Sequence, residues 1–267
     1  MISIAVNGAL GRMGARILHL AYQSQDFKIG AAFECAESEW LGKELAGALG
    51  LPPTALKVKI TVITPQALKN CQVLIDFSNP EGAEKCLEAA VKANRSLVVG
   101  TTGISRNLEE KIKANSKKIP ILFSPNMSIG ANFLFEMARL AASKLKEGYD
   151  IEIIEQHHRQ KKDAPSGTAK NIAKVIAEAK GWDISKVAKY GRAGLTGERP
   201  RNEIGIHVVR AGDIVGEHTV LFSGPGETIE ITHKAQSRDA FARGALVAAL
   251  FLAGKKKGLY QMADVLR

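Results

Sequence analysis

Apolar and polar positions in the first half of the chain follow two different repeat lengths. Short apolar runs rich in β-branched residues predict buried strands at 2–6, 28–33, 58–63, 73–77, 97–99 and 121–123. Segments with apolar residues every three or four positions predict helices at 13–23, 82–93, 108–117 and 129–145. Strands and helices that alternate in this way predict a doubly wound parallel sheet covered by helices on both faces.

The pattern changes in the second half of the chain. Strands are predicted at 149–155, 204–210, 214–222 and 228–233, a long helix at 168–180, a loop at 191–201, and a last helix from 237 to about 253. Two of the strands alternate apolar and polar residues, which is typical of a sheet with one solvated face. We therefore predict a smaller α+β domain with a mixed or antiparallel sheet. The boundary is expected near 128–130, and the pattern alone does not assign the last helix to either domain.

Length and composition limit the class of protein. The 267 residues correspond to one large or two modest domains, and 45% apolar with 24% charged residues is typical of soluble globular chains. The strongly apolar run at 245–253 is much shorter than the ~20 residues of a membrane-spanning helix, and no secretory segment is expected at the N-terminus. The short apolar run therefore predicts no membrane partner. The odd, unclustered set Cys35, Cys71 and Cys86 predicts reduced, buried thiols and a cytoplasmic location.

The chain is basic, with 37 Lys and Arg against 27 Asp and Glu and a net charge of +10. Such a charge fits nucleic-acid binding, or a soluble surface with a site for small anions. The basic residues are scattered and only 6% of residues are aromatic, which gives no obvious platform for base stacking. We therefore predict no nucleic-acid partner.

A glycine-rich turn separates the first predicted strand from the first predicted helix. Gly8, Gly11 and Gly14 have GxxGxxG spacing, which allows a tight turn and a close approach of the backbone to a pyrophosphate at the helix start. Glu34 stands 20 residues after Gly14, at the end of the second strand, where a carboxylate accepts hydrogen bonds from a ribose. The alternative is a structural glycine turn with a surface glutamate. We predict a dinucleotide-binding domain of the Rossmann type.

The neighbours of Glu34 bear on the choice of cofactor. A basic residue after the acid would favour the 2′-phosphate of NADPH, but Cys35 stands there, which favours NADH. Arg12, at the start of the helix, could still contact a phosphate. NADH is therefore preferred, with NADPH left open.

Two further loops follow predicted strands, at 100–103 and 124–128. Loops at the carboxyl ends of parallel strands line the ligand crevice of such sheets. Their hydroxyl and asparagine side chains suit contacts to a nicotinamide amide. Ordinary turn chemistry is the alternative interpretation of both loops.

The second half contains a dense charged segment from Glu155 to Thr168. His157 and Lys161 are four residues apart and would share one side of a regular element, and a histidine beside a lysine can deliver protons near neutral pH. Ser166 to Thr168 opens a helix whose free N–H groups suit a carboxylate. The adjacent histidines suggest a metal as an alternative, but no third ligand lies nearby in sequence, so none is predicted. A purely structural loop is the other alternative.

Together these residues predict hydride transfer with proton delivery to a small polycarboxylate. A dehydrogenase acting on a sugar or an aldehyde is a rival, but a polyol pocket would not need so many positive charges. A non-catalytic redox sensor that binds NADH and DNA is a second rival, and it would require a contiguous basic face.

The residues EQHHRQKKDAPSGT at 155–168 and GALGRMG at 8–14 resemble the motifs of the dihydrodipicolinate reductase family, also called 4-hydroxy-tetrahydrodipicolinate reductase. The resemblance covers essentially the whole chain, although Gln156 stands where alanine is more usual. It implies NAD(P)H-dependent reduction of 4-hydroxy-tetrahydrodipicolinate to tetrahydrodipicolinate with loss of water, in lysine and diaminopimelate biosynthesis.

The resemblance also implies roles for individual residues. The residues that would hold the dinucleotide are Gly8, Ala9, Leu10, Gly11, Arg12, Met13, Glu34, Gly100, Thr101, Thr102, Ser124, Pro125, Asn126 and Met127. His157 would act as proton donor or acceptor and Lys161 as proton donor. The residues that would bind the substrate carboxylate are His158, Ser166, Gly167 and Thr168. Many family members carry an arginine where Cys35 stands, so the resemblance does not imply tight selectivity for NADPH.

The family architecture implies a division of the chain. Residues 1–128 would bind the dinucleotide together with the C-terminal segment 239–267, and residues 129–238 would bind substrate and mediate oligomerisation. The sheets of the second domain would pair to form a homotetramer.

Overall fold

The computed structural model describes residues 1–145 and 147–267. The chain divides into two units, one of residues 1–129 with 238–267 and one of residues 130–237. Up to residue 123 it forms β1 Ile2–Asn7, α1 Arg12–Tyr22, β2 Phe27–Phe33, α2 Leu45–Ala48, β3 Ile60–Thr61, β4 Val73–Asp76, α3 Pro80–Ala93, β5 Ser96–Val99, α4 Arg106–Asn115 and β6 Pro120–Phe123. The middle of the chain forms α5 Ile129–Lys144, β7 Asp150–His157, α6 Gly167–Lys180, α7 Ile184–Val187, β8 Ala188–Tyr190, β9 Ile204–Arg210, β10 Gly216–Gly224 and β11 Glu227–Ala235. The last elements are α8 Asp239–Ala253, β12 Gly258–Tyr260 and α9 Met262–Val265.

The first unit is built on a parallel sheet with strand order β12-β6-β5-β4-β1-β2-β3. Successive residues of β1 point to opposite faces: Ile4 and Val6 belong to one buried cluster, and Ala5 belongs to the other. Residues of α1 and α8 cover the first face, and residues of α3 and α4 cover the second. This arrangement confirms the predicted doubly wound parallel sheet.

The second unit contains a sheet of order β11-β10-β7-β9-β8. Strand β10 runs antiparallel to β7 and β11, whereas β9 runs parallel to β7 and β8, so the sheet is mixed, as predicted. Ile151 and Ile153 on β7 pack with residues of α5 and α6 in the core of this unit. The alternation of β7 places Glu155 and His157 on the same side as these isoleucines.

Several boundaries differ from the prediction. The strand predicted at 58–63 contains only Ile60–Thr61, because this edge strand pairs with β2 at just two positions. Helix α3 begins at Pro80 rather than at residue 82, since the Asn79 side chain caps it by accepting a hydrogen bond from the Gly82 amide. The short elements α2, α7, α9, β8 and β12 were not predicted, because three or four residues are too few to show a period.

Helix α8 packs against α1 and the strands of the first unit, and Asp239 at its start forms an ion pair with Arg16 of α1. The assignment of cofactor and substrate binding to the two predicted domains stays a prediction. None of the helices in the described ranges combines the length and apolar character needed to span a membrane. Cys71 and Cys86 are buried free thiols, but Cys35 is exposed beyond the end of β2, so the prediction of burial was wrong there.

Candidate active site

The carboxyl ends of β1, β2, β4, β5 and β6 lie along one edge of the parallel sheet. All but two of the predicted cofactor residues lie in the loops after β1, β2, β5 and β6, and the other two, Arg12 and Met13, open α1. Strand β1 is paired with β2 on one side and β4 on the other, so the strand order reverses there. Ligands of open parallel sheets bind at such a reversal.

The glycine turn after β1 is closely packed, backbone against backbone. Gly8 has φ +70°, and a Cβ added there would lie 2.5 Å from the Phe77 carbonyl oxygen. A Cβ added at Gly14 would lie 2.0 Å from the Gly8 carbonyl oxygen. In the described structure, no side chain caps α1 at Gly11 and no acidic residue lies in its first turn. Its amides and dipole therefore suit an anionic group such as a pyrophosphate.

Glu34 follows the last residue of β2 rather than ending the strand as expected. Its Oε1 accepts a hydrogen bond of 2.7 Å from the Leu10 amide. The amides of Gly8 and Ala9 donate to the Phe33 carbonyl oxygen at 3.0 and 3.1 Å. The carboxylate is therefore held beside the glycine turn, where an adenosine ribose would reach it.

Asp76, the last residue of β4, was missed by the sequence analysis. Its buried carboxylate accepts hydrogen bonds from Asn7 Nδ2 at 2.8 Å, Ser78 Oγ at 2.6 Å and Thr101 Oγ1 at 2.6 Å. It therefore ties the last residue of β1 to the loops after β4 and β5. An acid that ends a short apolar strand was the available signal.

The loop after β5, which Thr101 ties to Asp76, also packs closely on Phe77. A Cβ on Gly100 would lie 2.2 Å from the Phe77 ring, so this position requires glycine. The adjacent Thr102 is exposed to solvent.

The loop after β6 is held largely by turn chemistry. Ser124 Oγ donates to the Asn126 carbonyl oxygen at 2.8 Å, and the Ser128 amide donates to Asn126 Oδ1 at 2.9 Å. Met127 is buried, and a Cβ on Gly244 of α8 would lie 1.7 Å from its carbonyl oxygen. Pro125 is exposed. The alternative of ordinary turn chemistry accounts for these contacts, and a role at the nicotinamide stays a prediction.

In the second unit, His157 ends β7 and is paired with a carboxylate that the sequence analysis did not single out. Its Nδ1 donates to Glu155 Oε2 at 2.5 Å. Glu155 has no exposed surface, and Arg210 of β9 donates to both of its oxygens at 2.8 Å. The His157 ring meets the His218 ring edge to face, with centroids 5.1 Å apart. The i, i+2 spacing on a strand was the available signal for Glu155, whereas Arg210 lies 55 residues away.

The charge state of this cluster follows from burial and its neighbours. Burial lowers the pKa of His157 below its ordinary value, and the Lys161 and Arg210 charges act in the same direction against the opposing effect of Glu155. Burial alone would raise the pKa of Glu155, but hydrogen bonds led by Arg210 hold it below the usual range. The imidazole is therefore neutral and the carboxylate ionised near pH 7.

Lys161 lies in a turn after β7, where its amide donates to the His158 carbonyl oxygen at 3.1 Å. The argument that His157 and Lys161 share one side holds only on a helix or a strand, and it does not apply here because the strand ends at His157. Lys161 Nζ lies 2.8 Å from Asp163 Oδ1, and this contact lowers the pKa of Asp163. His158 Nδ1 is buried and has no hydrogen-bond partner among the described residues.

Ser166 caps α6 and is almost completely buried. Its Oγ accepts from the Ala169 amide at 3.1 Å and lies 3.0 Å from His218 Nε2, while its own amide donates to Glu155 Oε1 at 2.9 Å. Burial lowers the pKa of His218 to about 3, so this ring is neutral. Gly167 is exposed, Thr168 is half-buried, and nothing lies within 4 Å of where a Gly167 Cβ would stand. The start of α6 is therefore held in place through the contacts of Ser166 with Glu155 and His218, and it is accessible at Gly167, which suits a carboxylate ligand.

Comparison with known proteins identifies the family of the chain. A family model described as dihydrodipicolinate reductase, N-terminus, matches residues 2–127, and one described as dihydrodipicolinate reductase, C-terminus, matches residues 130–266. The chain belongs to the dihydrodipicolinate reductase family. A 4-hydroxy-tetrahydrodipicolinate reductase of Syntrophotalea carbinolica is 47% identical over 266 residues, covering 100% of this chain and 99% of that protein. Another, from Nitrosomonas eutropha, is 48% identical and covers 100% of this chain and 98% of that protein.

A solved structure of the dihydrodipicolinate reductase family supports the fold. Dipicolinate-bound dihydrodipicolinate reductase from Paenisporosarcina sp. TG-14 is similar to this chain with a TM-score of 0.75 and 26% identity, covering 98% of this chain and 97% of that chain. Membership of the dihydrodipicolinate reductase family makes this chain an oxidoreductase of lysine and diaminopimelate biosynthesis with a Rossmann-type first unit, and supports NAD(P)H as its cofactor.

Proposed function

We propose that this chain catalyses the NAD(P)H-dependent reduction of 4-hydroxy-tetrahydrodipicolinate to tetrahydrodipicolinate with loss of water. The observation that carries the proposal is the segment from Glu155 to Thr168. It combines a buried neutral imidazole, a lysine and an accessible helix start in one unit. These are the groups that proton transfer and carboxylate binding require.

Cofactor binding is assigned to the loops at the carboxyl edge of the first unit. The amides at the start of α1 would receive the pyrophosphate and Glu34 the ribose. When bound, the nicotinamide supplies the hydride. We expect NADH to be preferred, because the exposed Cys35 offers no positive charge to a 2′-phosphate. Arg12 at the start of α1 is the residue that would retain some use of NADPH.

Substrate binding is assigned to the start of α6. The amides of Gly167 and Thr168 and the side chains of His158 and Ser166 would hold a carboxylate, assisted by the positive end of the helix dipole. The similar protein from Paenisporosarcina contains bound dipicolinate, a cyclic dicarboxylate, which supports this class of substrate.

Proton delivery is assigned to Lys161 and His157. Loss of water from the hydroxylated cyclic imine leaves a conjugated double bond, and reduction of that bond requires one hydride and one proton. The Lys161 ammonium would supply the proton and stabilise developing negative charge, while His157 accepts or returns a proton. Lys161 also carries a positive charge close enough to lower the pKa of His157.

The decisive test is oxidation of NADH and NADPH in the presence of substrate made in situ by its upstream synthase. The purified chain should oxidise reduced cofactor only when the substrate is supplied. Lys161→Ala should lower kcat by about 10²-fold or more, because the proton donor is lost, and should leave NADH affinity nearly unchanged. Lys162→Ala, at an adjacent exposed lysine, is the matched control and should retain full turnover. The role would be refuted if Lys161→Ala weakened NADH binding strongly while the bound complex still turned over at the normal rate.

A homotetramer and a cytoplasmic location remain predictions. Val209 is an exposed apolar side chain on the face of the second sheet opposite to Ile151 and Ile153, where it would be available for sheet pairing between subunits. Sedimentation equilibrium should give four times the 28.7 kDa of the chain, and a monomeric mass would contradict the proposal.

A further inference from the structure

The Glu155 carboxylate divides its two oxygens between two different parts of the site. Oε2 accepts from His157 Nδ1 at 2.5 Å and from Arg210 Nη1 at 2.8 Å. Oε1 accepts from the Ser166 amide at 2.9 Å and from Arg210 Nη2 at 2.8 Å. A single buried side chain therefore contacts both the imidazole and the residue that caps α6.

This arrangement determines which nitrogen of His157 is available for proton exchange. An ionised carboxylate only accepts hydrogen bonds, so Nδ1 must carry the hydrogen. In the neutral ring Nε2 is then the acceptor, and it faces Gly216, where an added Cβ would lie only 3.0 Å away. A side chain at this position would press on Nε2, and glycine avoids that contact.

The same carboxylate also fixes the place where a substrate carboxylate would bind. The Ser166 amide is held on Oε1, and the next residue, Gly167, is the first of α6. Arg210 adds a further bond to the Asp163 carbonyl oxygen at 2.7 Å, which anchors the intervening loop. A shift of Glu155 would therefore move the helix start and the imidazole together.

We propose that Glu155 is a positioning residue that holds His157 with its hydrogen on Nδ1 and, through Ser166, sets the start of α6 at a fixed place relative to Nε2. The inference rests on the proposed function, in which Nε2 exchanges a proton and α6 binds the substrate carboxylate. Glu155 acts through these two groups and does not itself meet the substrate.

Four charged or titratable groups of the described structure surround His157: Glu155 on β7, Arg210 on β9, His218 on β10 and Lys161 in the following turn. Removal of either partner of the Glu155–Arg210 ion pair should shift the pKa of His157, in opposite directions. Glu155 favours the protonated ring and Arg210 disfavours it, while the neutral His218 adds no charge. Glu155→Gln should therefore lower the pKa of His157, and Arg210→Gln should raise it. General destabilisation cannot produce shifts of opposite sign.

The test combines a tautomer measurement with steady-state kinetics. Nitrogen-15 NMR of the full chain, with the His157 signal assigned by its loss in His157→Gln, should show hydrogen on Nδ1 in the original protein. In Glu155→Gln the amide group can donate towards Nδ1, so hydrogen should move to Nε2, kcat should fall by about 10²-fold or more, and the Michaelis constant for the dicarboxylate should rise. Glu155→Asp, which keeps an ionised acceptor, should retain the Nδ1–H signal.

Glu152→Gln is the matched control. Glu152 lies on the same strand, and its partners are Arg192, Arg199 and His207. It contacts neither His157 nor Ser166 in the described structure. It should leave the tautomer and the pH profile unchanged. An unchanged tautomer and pKa in Glu155→Gln, or the same change in Glu152→Gln, would overturn the inference.

Arg210→Gln keeps the inference testable if Glu155→Gln does not fold. A raised His157 pKa with hydrogen kept on Nδ1 would support it, and an unchanged pKa would overturn it. Because the NMR measurement does not need turnover, a fixed tautomer in a chain without reductase activity would refute the proposed function and leave the positioning role standing.

Discussion

Replacement of Gly14 by alanine sets two physical effects against each other. Gly14 lies in the first turn of α1, and alanine in place of glycine within a helix normally stabilises by about 1 kcal/mol. At this position, however, the new Cβ would lie 2.0 Å from the Gly8 carbonyl oxygen and 2.8 Å from its carbonyl carbon. Real Cβ atoms essentially never approach closer than 3.0 Å, so the main chain must move by about 1 Å.

The atoms that the new Cβ would meet belong to the main chain of Gly8, so no side-chain rotation can relieve the clash. The turn is held by the Gly8 and Ala9 amides on the Phe33 carbonyl oxygen and by the Leu10 amide on Glu34. Overpacking costs about 1–3 kcal/mol, and an immovable obstacle places this case near the upper end. After the helix gain is subtracted, the net loss is about 2 kcal/mol, which corresponds to a fall in Tm of about 4–8 °C.

The same shift should weaken cofactor binding. Hydrogen bonds to a charged group contribute about 1.5–3 kcal/mol each, so misplacing one amide at the pyrophosphate should raise the Kd for NADH by about tenfold or more. Titration calorimetry and thermal unfolding measure the two effects. Gly47→Ala is the control, because it lies in α2 with no atom within 4 Å of its added Cβ. The reasoning is refuted if Gly14→Ala melts and binds NADH like Gly47→Ala.

Two further predictions concern charge. Glu152→Gln should destabilise the protein by about 1 kcal/mol at pH 7, a value reduced for solvent screening, because Arg192, Arg199 and His207 hold the pKa of Glu152 at about 2 although burial alone would raise it. Because the pKa of Glu152 is depressed from 4.5, its contribution to the free energy of unfolding is complete above about pH 4.5 and is lost as pH falls towards 2. A stability difference between the original protein and Glu152→Gln that is the same at every pH would contradict this. Cys35→Arg should shift the ratio of kcat/KM values towards NADPH by about tenfold, since it adds a charge beside Glu34, whereas an unchanged ratio would mean that this position does not meet the 2′-phosphate.

The parts of the fold that were predictable from the sequence are those with a long repeat. Strands β1, β4 and β9 and helices α1 and α6 each have enough residues to show a period of 2 or 3.6, or an unbroken apolar run. The two-residue extent of the edge strand β3 and the presence of the three-residue strand β12 are set by pairing with a partner that lies elsewhere in the chain. No local pattern encodes such pairing.

The candidate site shows the same division between local and distant information. The glycine turn and the serine cap of α6 were predictable, because each carries out its role through its own backbone. The Asp76 cluster joins Asn7 to Thr101, and the Glu155 carboxylate meets Arg210. These contacts form only when strands far apart in sequence become neighbours. The spacing of His157 and Lys161 was misleading for a related reason, since regular periodicity ends where β7 ends.

The starts of α1 and α6, which are proposed to bind anions, share a feature that comes from residues outside each helix. Helices α1 and α6 have no acidic residue in their first turns, but α5 shares that property, so it does not define a site. Both α1 and α6 have a carboxylate, on a strand or directly after one, that accepts a hydrogen bond from a backbone amide just before the helix. Glu34 accepts from the Leu10 amide, and Glu155 accepts from the Ser166 amide.

The two carboxylates differ in burial and in the number of hydrogen bonds that they accept. Glu34 is only partly buried and lies where a ribose would compete for its oxygens, whereas Glu155 is fully buried and accepts four hydrogen bonds, two of them from Arg210. The carboxylate beside the second helix start is therefore held by more hydrogen bonds than the one beside the first. Fixed geometry is most valuable where a proton must be transferred, since small displacements there cost the most rate.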